Sequence, residues 1–144
     1  MEMKAAVFEG IENIVLREVE VPGCEDDGIL VKVEACGICG SDLRNYHTGL
    51  RDNIQNQIMG HEIAGRVIES GKKVKRFKEG DRVAIAPDVS CGECYYCKRG
   101  WVNLCVNHRM IGTHWPGGFA QYIYLSREIL DHGIIHPIPE NISY

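Results

Sequence analysis

The chain has 144 residues, of which 44% are hydrophobic and 25% are charged, and its formal net charge is −4. This length suits one domain with a core of its own, and the acidic balance does not favour nucleic acid or anionic lipid as partners. No apolar run reaches the roughly 20 residues that span a bilayer, and no signal peptide pattern opens the chain. We therefore expect a cytoplasmic protein with no membrane partner.

Short segments rich in Val and Ile follow one another along the chain, separated by Gly, Asp or Pro. They occupy residues 3–10, 13–22, 28–39, 61–70, 81–87 and 119–126. Such segments are typical of a mainly β domain built from short strands. Alternation within the third segment predicts that Val31, Val33 and Ala35 share one face of their strand. The final stretch, 134–144, is predicted to be a strand that leaves the domain.

Two segments between the predicted strands have a different character. Residues 41–49 are predicted to form one or two helical turns, with Ser41 as the N-cap and Gly49 at the end. The basic run 72–78 alternates with Val74 and Phe77 and precedes an acidic turn. It is therefore predicted to be a solvated turn between strands.

Seven cysteines occur, at positions 24, 36, 39, 91, 94, 97 and 105. An odd number with tight C-x-x-C spacing, in a chain without a leader, argues against a disulfide framework. Cys91, Cys94, Cys97 and Cys105 have the spacing C-x2-C-x2-C-x7-C, which lets four thiolates surround one ion. Four thiolates leave no open coordination position, so the expected ion is a structural zinc. An iron–sulfur cluster also takes four cysteines and is the alternative.

A second candidate set lies in the stretches CGICGSD and GHE, at 36–42 and 60–62. Cys39, His61 and Glu62 offer one sulfur, one nitrogen and one oxygen donor. Catalytic zinc sites commonly use three protein ligands of mixed type and leave the fourth position for water or substrate. Each residue alone would be a weak signal, but the set predicts a second, reactive metal site.

Together these stretches resemble the N-terminal catalytic domain of the zinc-dependent medium-chain dehydrogenases/reductases, the family of alcohol, polyol and threonine dehydrogenases. The resemblance rests on GICGSD (37–42), GHEIAGRVIESGKKV (60–74) and CGECYYCKRGWVNLC (91–105), which follow the order of the family, with support from FKEGDRVA (77–84) and GGFAQY (117–122). It implies a GroES-like, partly open β-barrel with a protruding four-cysteine zinc lobe and one or two short helices.

The resemblance also implies roles for individual residues. Cys39 and His61 would be ligands of a catalytic zinc, and Glu62 would lie beside the metal, as a ligand in some states. Asp42 would orient His61, and Ser41 would take the proton of the alcohol substrate. Cys36 is not a ligand in the family pattern, and we interpret both Cys36 and Cys24 as thiols that do not bind metal.

The activity implied by the resemblance is hydride transfer between a secondary alcohol, such as a polyol or an amino alcohol, and NAD(P). No G-x-G-x-x-G turn follows a strand in these residues, so a Rossmann cofactor domain is expected to be absent from them. We expect residues 1–144 to form the catalytic domain, to be inactive alone and to be monomeric, whereas the full-length enzyme would be a homo-oligomer.

Two positions differ from the pattern of many family members. Arg44 stands where a histidine often serves as the outer end of a proton relay, and His47 is a candidate replacement. Gly40, rather than a basic residue, follows Cys39. In this respect the chain resembles the polyol and threonine dehydrogenase branch of the family.

Two other functions are compatible with the residues alone. The cysteine loop, with Lys98, Arg99, Tyr95 and Tyr96, could be a zinc-ribbon module that binds nucleic acid or protein. The chain could also be a structural β-barrel whose second metal site is vestigial.

Overall fold

In a computed structural model, which describes all 144 residues, the chain forms nine strands, two α-helices and three short 3-10 turns. The strands are β1 (Glu2–Gly10), β2 (Asn13–Glu20), β3 (Ile29–Gly37), β4 (Gln57–Ile58), β5 (Glu62–Ser70), β6 (Arg82–Val89), β7 (Arg109–Met110), β8 (Tyr122–Leu125) and β9 (Gly133–Pro137). The helices are α1 (Gly40–Thr48) and α2 (Arg127–His132), and the 3-10 turns span Arg51–Asn53, Cys97–Arg99 and Val102–Leu104.

All strand pairs are antiparallel and form two sheets. The smaller sheet has the order β2-β1-β4, and the larger has the order β7-β6-β5-β3-β8 with β9 also paired to β6. The two sheets meet where the N–H of Ala6 donates to the carbonyl of Phe119 at 2.7 Å. The predicted mainly β fold with a four-cysteine cluster and two short helices is confirmed.

The core packs against the larger sheet and is built almost entirely from β-branched side chains, with one leucine and one phenylalanine. Its members are Ile29, Val31, Ile63, Val67, Phe77, Val83, Ile85, Val89, Ile111, Ile123, Leu125, Ile129 and Ile135. Full burial of each aliphatic side chain contributes about 1.5–3 kcal/mol, so this cluster is the main source of stability. It provides the rigid base from which the loops with the candidate ligands extend.

The prediction for the buried face of β3 was wrong at one position. The pairing of β3 with β5 shifts between Val33 and Ala35, where an irregularity interrupts the ladder. A shift of this kind changes which residues face inward beyond it. Ala35 is therefore exposed, while Cys36 packs against the core.

Two further boundary predictions need correction. Helix α1 begins at Gly40 with Cys39 as its N-cap, because the carboxylate of Asp42 accepts the Cys39 N–H at 2.9 Å, so Ser41 lies inside the helix. The C-terminal stretch does not leave the domain as a free strand, since β9 pairs with β6 from Val83↔Pro137 to Val89↔Gly133.

The basic run 72–78 forms the predicted turn between β5 and β6, with its charged side chains exposed and Phe77 buried in the core. None of the helices is long and apolar enough to cross a lipid bilayer.

Candidate metal centres

The first candidate centre is assembled by the register of β3 and β5. These strands run antiparallel, and their last pair joins Gly37 to Glu62, so the end of β3 lies beside the start of β5. Cys39 follows β3 by two residues, and His61 directly precedes β5. Residues separated by more than twenty positions in sequence are thereby brought into one small space.

Cys39, His61 and Glu62 each offer a donor atom, and these three atoms lie within 4.8 Å of one another. Zinc binds cysteine sulfur at about 2.3 Å and histidine nitrogen at about 2.0 Å, so donors around one ion are separated by roughly 3.5–4 Å. The residues present therefore fit a zinc ion with small movements of the side chains. Three protein donors leave one position for another ligand.

Asp42 links the loop of Cys39 to the ring of His61. One of its carboxylate oxygens, Oδ2, accepts the backbone N–H of Cys39 at 2.9 Å, and the other, Oδ1, lies 3.3 Å from His61 Nδ1. Asp42 is only 5% exposed and His61 only 9%, so the contact is shielded from water. A carboxylate against Nδ1 favours the tautomer with the proton on Nδ1, which leaves Nε2 free to bind a metal.

Ser41 lies on the other side of the same imidazole ring. Its Oγ is 3.1 Å from His61 Nε2, the nitrogen that faces away from Asp42. The first turn of α1 therefore places a hydroxyl and a carboxylate on opposite edges of one histidine, because Ser41 and Asp42 are consecutive residues at the start of that helix.

The backbone before His61 is held by a glycine-rich loop at residues 111–118. Gly60 has φ +87°, and its carbonyl accepts the N–H of Gly118 at 2.9 Å. A Cβ added at Gly112 would lie 2.8 Å from the Gly60 oxygen, and one at Gly117 would overlap that oxygen. The close approach requires residues without side chains, and it fixes the position from which His61 extends.

A cleft of about 330 Å³ opens beside this centre on the outer face of β5, β6 and β9. His61 and Glu62 lie at its edge, while Ala84, Ala86 and His136 line it further along. Two of the three donor residues, His61 and Glu62, are thus reached from the cleft.

The second candidate centre is the lobe formed by residues 90–108. The donor sulfurs of Cys91, Cys94, Cys97 and Cys105 all lie within 4.8 Å of one another. Two thiolates bound to one tetrahedral zinc are about 3.8 Å apart, given a Zn–S distance of about 2.3 Å. The Sγ atoms of Cys91 and Cys97 are 3.9 Å apart, which fits this geometry.

Backbone N–H groups in the lobe point at the sulfurs, as expected of thiolates. The N–H of Cys91 lies 3.3 Å from Cys105 Sγ, and the N–H of Cys97 lies 3.5 Å from Cys94 Sγ. Hydrogen bonds from the backbones of Cys97 and Val106 lower the pKa of the Cys94 thiol to about 6. Cys94 thereby favours the ionised form that binds metal, whereas burial raises the pKa of the Cys97 thiol to about 11.

The remaining cysteines, Cys24 and Cys36, belong to neither set of donors, and no disulfide joins any of the seven. Burial raises the pKa of Cys36 to about 11 and also raises that of Cys24.

Sequence reasoning did not identify Glu12, which connects the β1–β2 turn to the far end of α1. The Tyr46 hydroxyl donates to the carbonyl of Glu12 at 2.9 Å, and the Glu12 N–H donates to the carbonyl of Tyr46 at 2.8 Å. His47, the candidate relay residue, lies with its Nδ1 3.1 Å from the Glu12 carboxylate. Its hydrogen-bond partner is thus Glu12 and not Ser41. No sequence signal marks these contacts, because they join segments more than 30 positions apart.

A β fold with one mixed donor set in a cleft and one closed four-cysteine lobe defines a class of zinc-type dehydrogenase domains. The family described as "Alcohol dehydrogenase GroES-like domain" matches residues 25–139. The chain belongs to this family, and the resemblance inferred from its motifs is confirmed. The match favours the dehydrogenase hypothesis over the zinc-ribbon module.

Similar proteins support the same assignment. A sorbitol dehydrogenase of Bacillus subtilis is 40% identical over 99% of this chain, which spans 40% of that relative. A solved structure from Sinorhizobium meliloti, described as a zinc-binding dehydrogenase bound to NADP, has a TM-score of 0.87 and 40% identity over 99% of this chain and 40% of its own. Galactitol-1-phosphate dehydrogenase from Escherichia coli has a TM-score of 0.87 and 29% identity over 98% of this chain and 39% of its own.

Proposed function

We propose that this chain is the catalytic domain of a zinc-dependent alcohol or polyol dehydrogenase, which transfers hydride between a secondary alcohol and NAD(P). The observation that carries the proposal is the joint placement of Cys39, His61 and Glu62 within 4.8 Å, beside an accessible cleft. The contacts of Ser41 and Asp42 with the same histidine support a metal-binding site over a vestigial one.

Cys39 and His61 are the proposed ligands of the catalytic zinc, and Glu62 the third donor. When bound, zinc would act as a Lewis acid that lowers the pKa of an alcohol and polarises the corresponding carbonyl. Asp42 would hold the His61 ring in the ligating tautomer and balance the positive charge. Cys91, Cys94, Cys97 and Cys105 are proposed to hold a structural zinc, since four thiolates leave no open position.

Ser41 is proposed to relay the proton that the alcohol loses, because its partly exposed hydroxyl can accept that proton while its own proton passes to solvent. Its Oγ lies 3.1 Å from His61 Nε2, so a group bound at the metal position would be within reach of the hydroxyl. A hydroxyl both accepts and donates, and it can therefore pass a proton out of a pocket where water is scarce. His47 bonds to Glu12, and the exposed Arg44 guanidinium offers hydrogen-bond donors but no acceptor, so neither residue extends this path directly.

The proposed substrates are polyols or other secondary alcohols, including amino alcohols. Support comes from the names of relatives, which are sorbitol dehydrogenase and galactitol-1-phosphate dehydrogenase, and from NADP in one neighbour. These residues contain no G-x-G-x-x-G turn, so the nicotinamide cofactor is proposed to bind on residues outside them.

The proposal also covers the cellular compartment, the partners and the oligomeric state. The unpaired cysteines suit a reducing cytoplasm, and the net charge of −4 gives no support for nucleic acid as a partner. The whole enzyme is proposed to be a homo-oligomer, and this domain alone a monomer.

The first test is the metal content of the chain, measured by elemental analysis after purification without chelator. Two zinc ions per chain are expected, with one lost in Cys39→Ser and the other lost in Cys94→Ser. Iron in place of zinc, or no metal, would contradict the proposal. Activity is then assayed on the protein purified from its own source, by following nicotinamide absorbance with a panel of polyols and secondary alcohols.

A further inference from the structure

Glu62 and Gly37 form the last antiparallel pair between β3 and β5. Directly opposed residues in such a pair have neighbouring side chains, so the side chain of Glu62 lies next to the α-carbon of Gly37. The strand ends there, and the Glu62 side chain is free to fold across the end of β3 toward Cys39.

The space over Gly37 is filled by the Glu62 carboxylate. A Cβ added at Gly37 would overlap Glu62 Oε2 and would lie 3.2 Å from Glu62 Cβ and 3.4 Å from Glu62 Cδ. Gly37 does not have a positive φ, so its backbone could accept an L-residue. The steric conflict of a side chain at position 37 is therefore with the end of the Glu62 side chain and not with the backbone.

A comparison with Gly40 shows that the steric conflict with Glu62 is specific to Gly37. Gly40 lies three residues further along the same motif, and a Cβ added there would meet nothing within 4 Å. The two glycines therefore form a matched pair, of which one contacts the proposed ligand and the other does not.

We propose that Gly37 is a positioning residue for Glu62, whose carboxylate occupies the volume that a side chain at position 37 would fill and so stays within reach of Cys39 and His61. This inference rests on the proposed metal centre and deepens it. A methyl group at position 37 displaces the carboxylate from the donor set, while the strands remain paired. The domain keeps its fold and loses one of three donors.

The test is a cobalt titration of the 144-residue chain, after one equivalent of zinc has filled the four-cysteine lobe. Thiolate-to-cobalt absorption reports binding at Cys39, and Cys39→Ser supplies the baseline. Gly37→Ala is expected to weaken cobalt binding about 10- to 100-fold, the range seen when groups that position ligands are altered. Gly40→Ala is expected to bind cobalt as the unmodified chain does.

A double-mutant cycle with Glu62→Ala separates positioning from general damage. If Gly37 acts through Glu62, adding Gly37→Ala to Glu62→Ala causes no further loss of cobalt affinity. Equal losses in both backgrounds, or an undiminished affinity of Gly37→Ala, would overturn the inference.

The same double-mutant cycle can also be measured as midpoints of denaturant unfolding. This measurement does not require a metal ion at Cys39 and His61. The midpoint change caused by Gly37→Ala is expected to be more favourable in the Glu62→Ala background than in the unmodified chain, because the overlap with Glu62 Oε2 is gone. Absence of cobalt binding together with this coupling would contradict the proposed function and leave the inference standing. Absence of the coupling would overturn the inference, whatever the metal content.

Discussion

Asp42 contacts both sides of the proposed catalytic centre, with Oδ1 3.3 Å from His61 Nδ1 and Oδ2 2.9 Å from the backbone nitrogen of Cys39. It is the only Asp, Glu, Lys or Arg among the buried residues. The carboxylate therefore connects the loop after β3 to the residue before β5. Its negative charge stabilises the start of α1 and would also stabilise a metal-bound imidazole.

Replacement of Asp42 by Asn tests this connection. Asp42→Asn keeps the shape but removes the charge, so metal binding at Cys39 and His61 is expected to weaken about 10- to 100-fold. The measurement is cobalt titration with the four-cysteine lobe already filled by zinc. Asp88→Asn is a matched control, since Asp88 also pairs with a histidine, His108 at 2.7 Å, but lies outside the donor set. An equal effect of both variants would contradict the prediction.

The four-cysteine lobe is expected to depend on its metal for order. Cys94→Ser should remove one zinc per chain and lower the melting temperature, because the irregular lobe has few buried apolar residues of its own. Cys24→Ser is the control, since the Cys24 thiol makes contacts with backbone carbonyls that a hydroxyl can also make. Elemental analysis and thermal unfolding measure both effects. Unchanged zinc content in Cys94→Ser would show that the cluster does not hold the ion.

Alkaline pH should destabilise the fold through Cys36. Burial raises the pKa of this thiol from 9.0 to about 11, so the folded state keeps its proton over a pH range in which the unfolded chain loses it. The stabilisation is complete below pH 9 and is lost as the pH rises toward 11. This stabilisation is on the order of 1 kcal/mol. The shift of two pKa units by itself would correspond to a larger free energy, but solvent screens the half-buried thiol and reduces it.

Denaturant unfolding at several pH values between 9 and 11, compared with Cys36→Ala, isolates this contribution. The variant is expected to show a shallower loss of unfolding free energy in that range. An identical pH dependence of the two proteins would contradict the assignment to Cys36.

The contact between Tyr46 and Glu12 should stabilise the end of α1. Tyr46→Phe removes the hydroxyl that donates to the Glu12 carbonyl at 2.9 Å and is expected to cost about 0.5–1.5 kcal/mol of unfolding free energy. Tyr95→Phe is the control, because Tyr95 is 59% exposed and its loss of a hydroxyl should have no measurable effect. Chemical denaturation of both variants, with zinc present, measures the difference. Equal stability of the two would contradict a role for the contact.

Local sequence was sufficient to predict the four-cysteine cluster, the mixed donor set and the strands β1, β2, β3, β5, β6 and β8, but not the two-residue strands β4 and β7. The alternation of Val and Ile with polar residues reflects which face of a strand is buried, so it is visible among neighbouring positions. The spacing of the four cysteines is likewise contained in one loop, at Cys91, Cys94, Cys97 and Cys105. The cysteine lobe is closed by the pair Val89↔Arg109, so its ligands need little help from distant segments.

Predictions failed where a neighbouring strand or a distant contact decides the outcome. The interruption between Val33 and Ala35 arises in the pairing of β3 with β5, and the helix start at Gly40 depends on the Asp42 carboxylate. Neither Glu12 nor Gly37 could be recognised from sequence patterns, because their partners lie more than 20 residues away.

The sequence by itself determined the class of fold, the family and the types of donor atoms, since these follow from residue identity and short spacing. Only the tertiary structure decided how the donors meet. The register Gly37↔Glu62 brings Cys39 to His61, and packing of glycines against Gly60 fixes the histidine backbone. Both are long-range pairings, and their physical basis is the burial of a core shared by strands far apart in the chain.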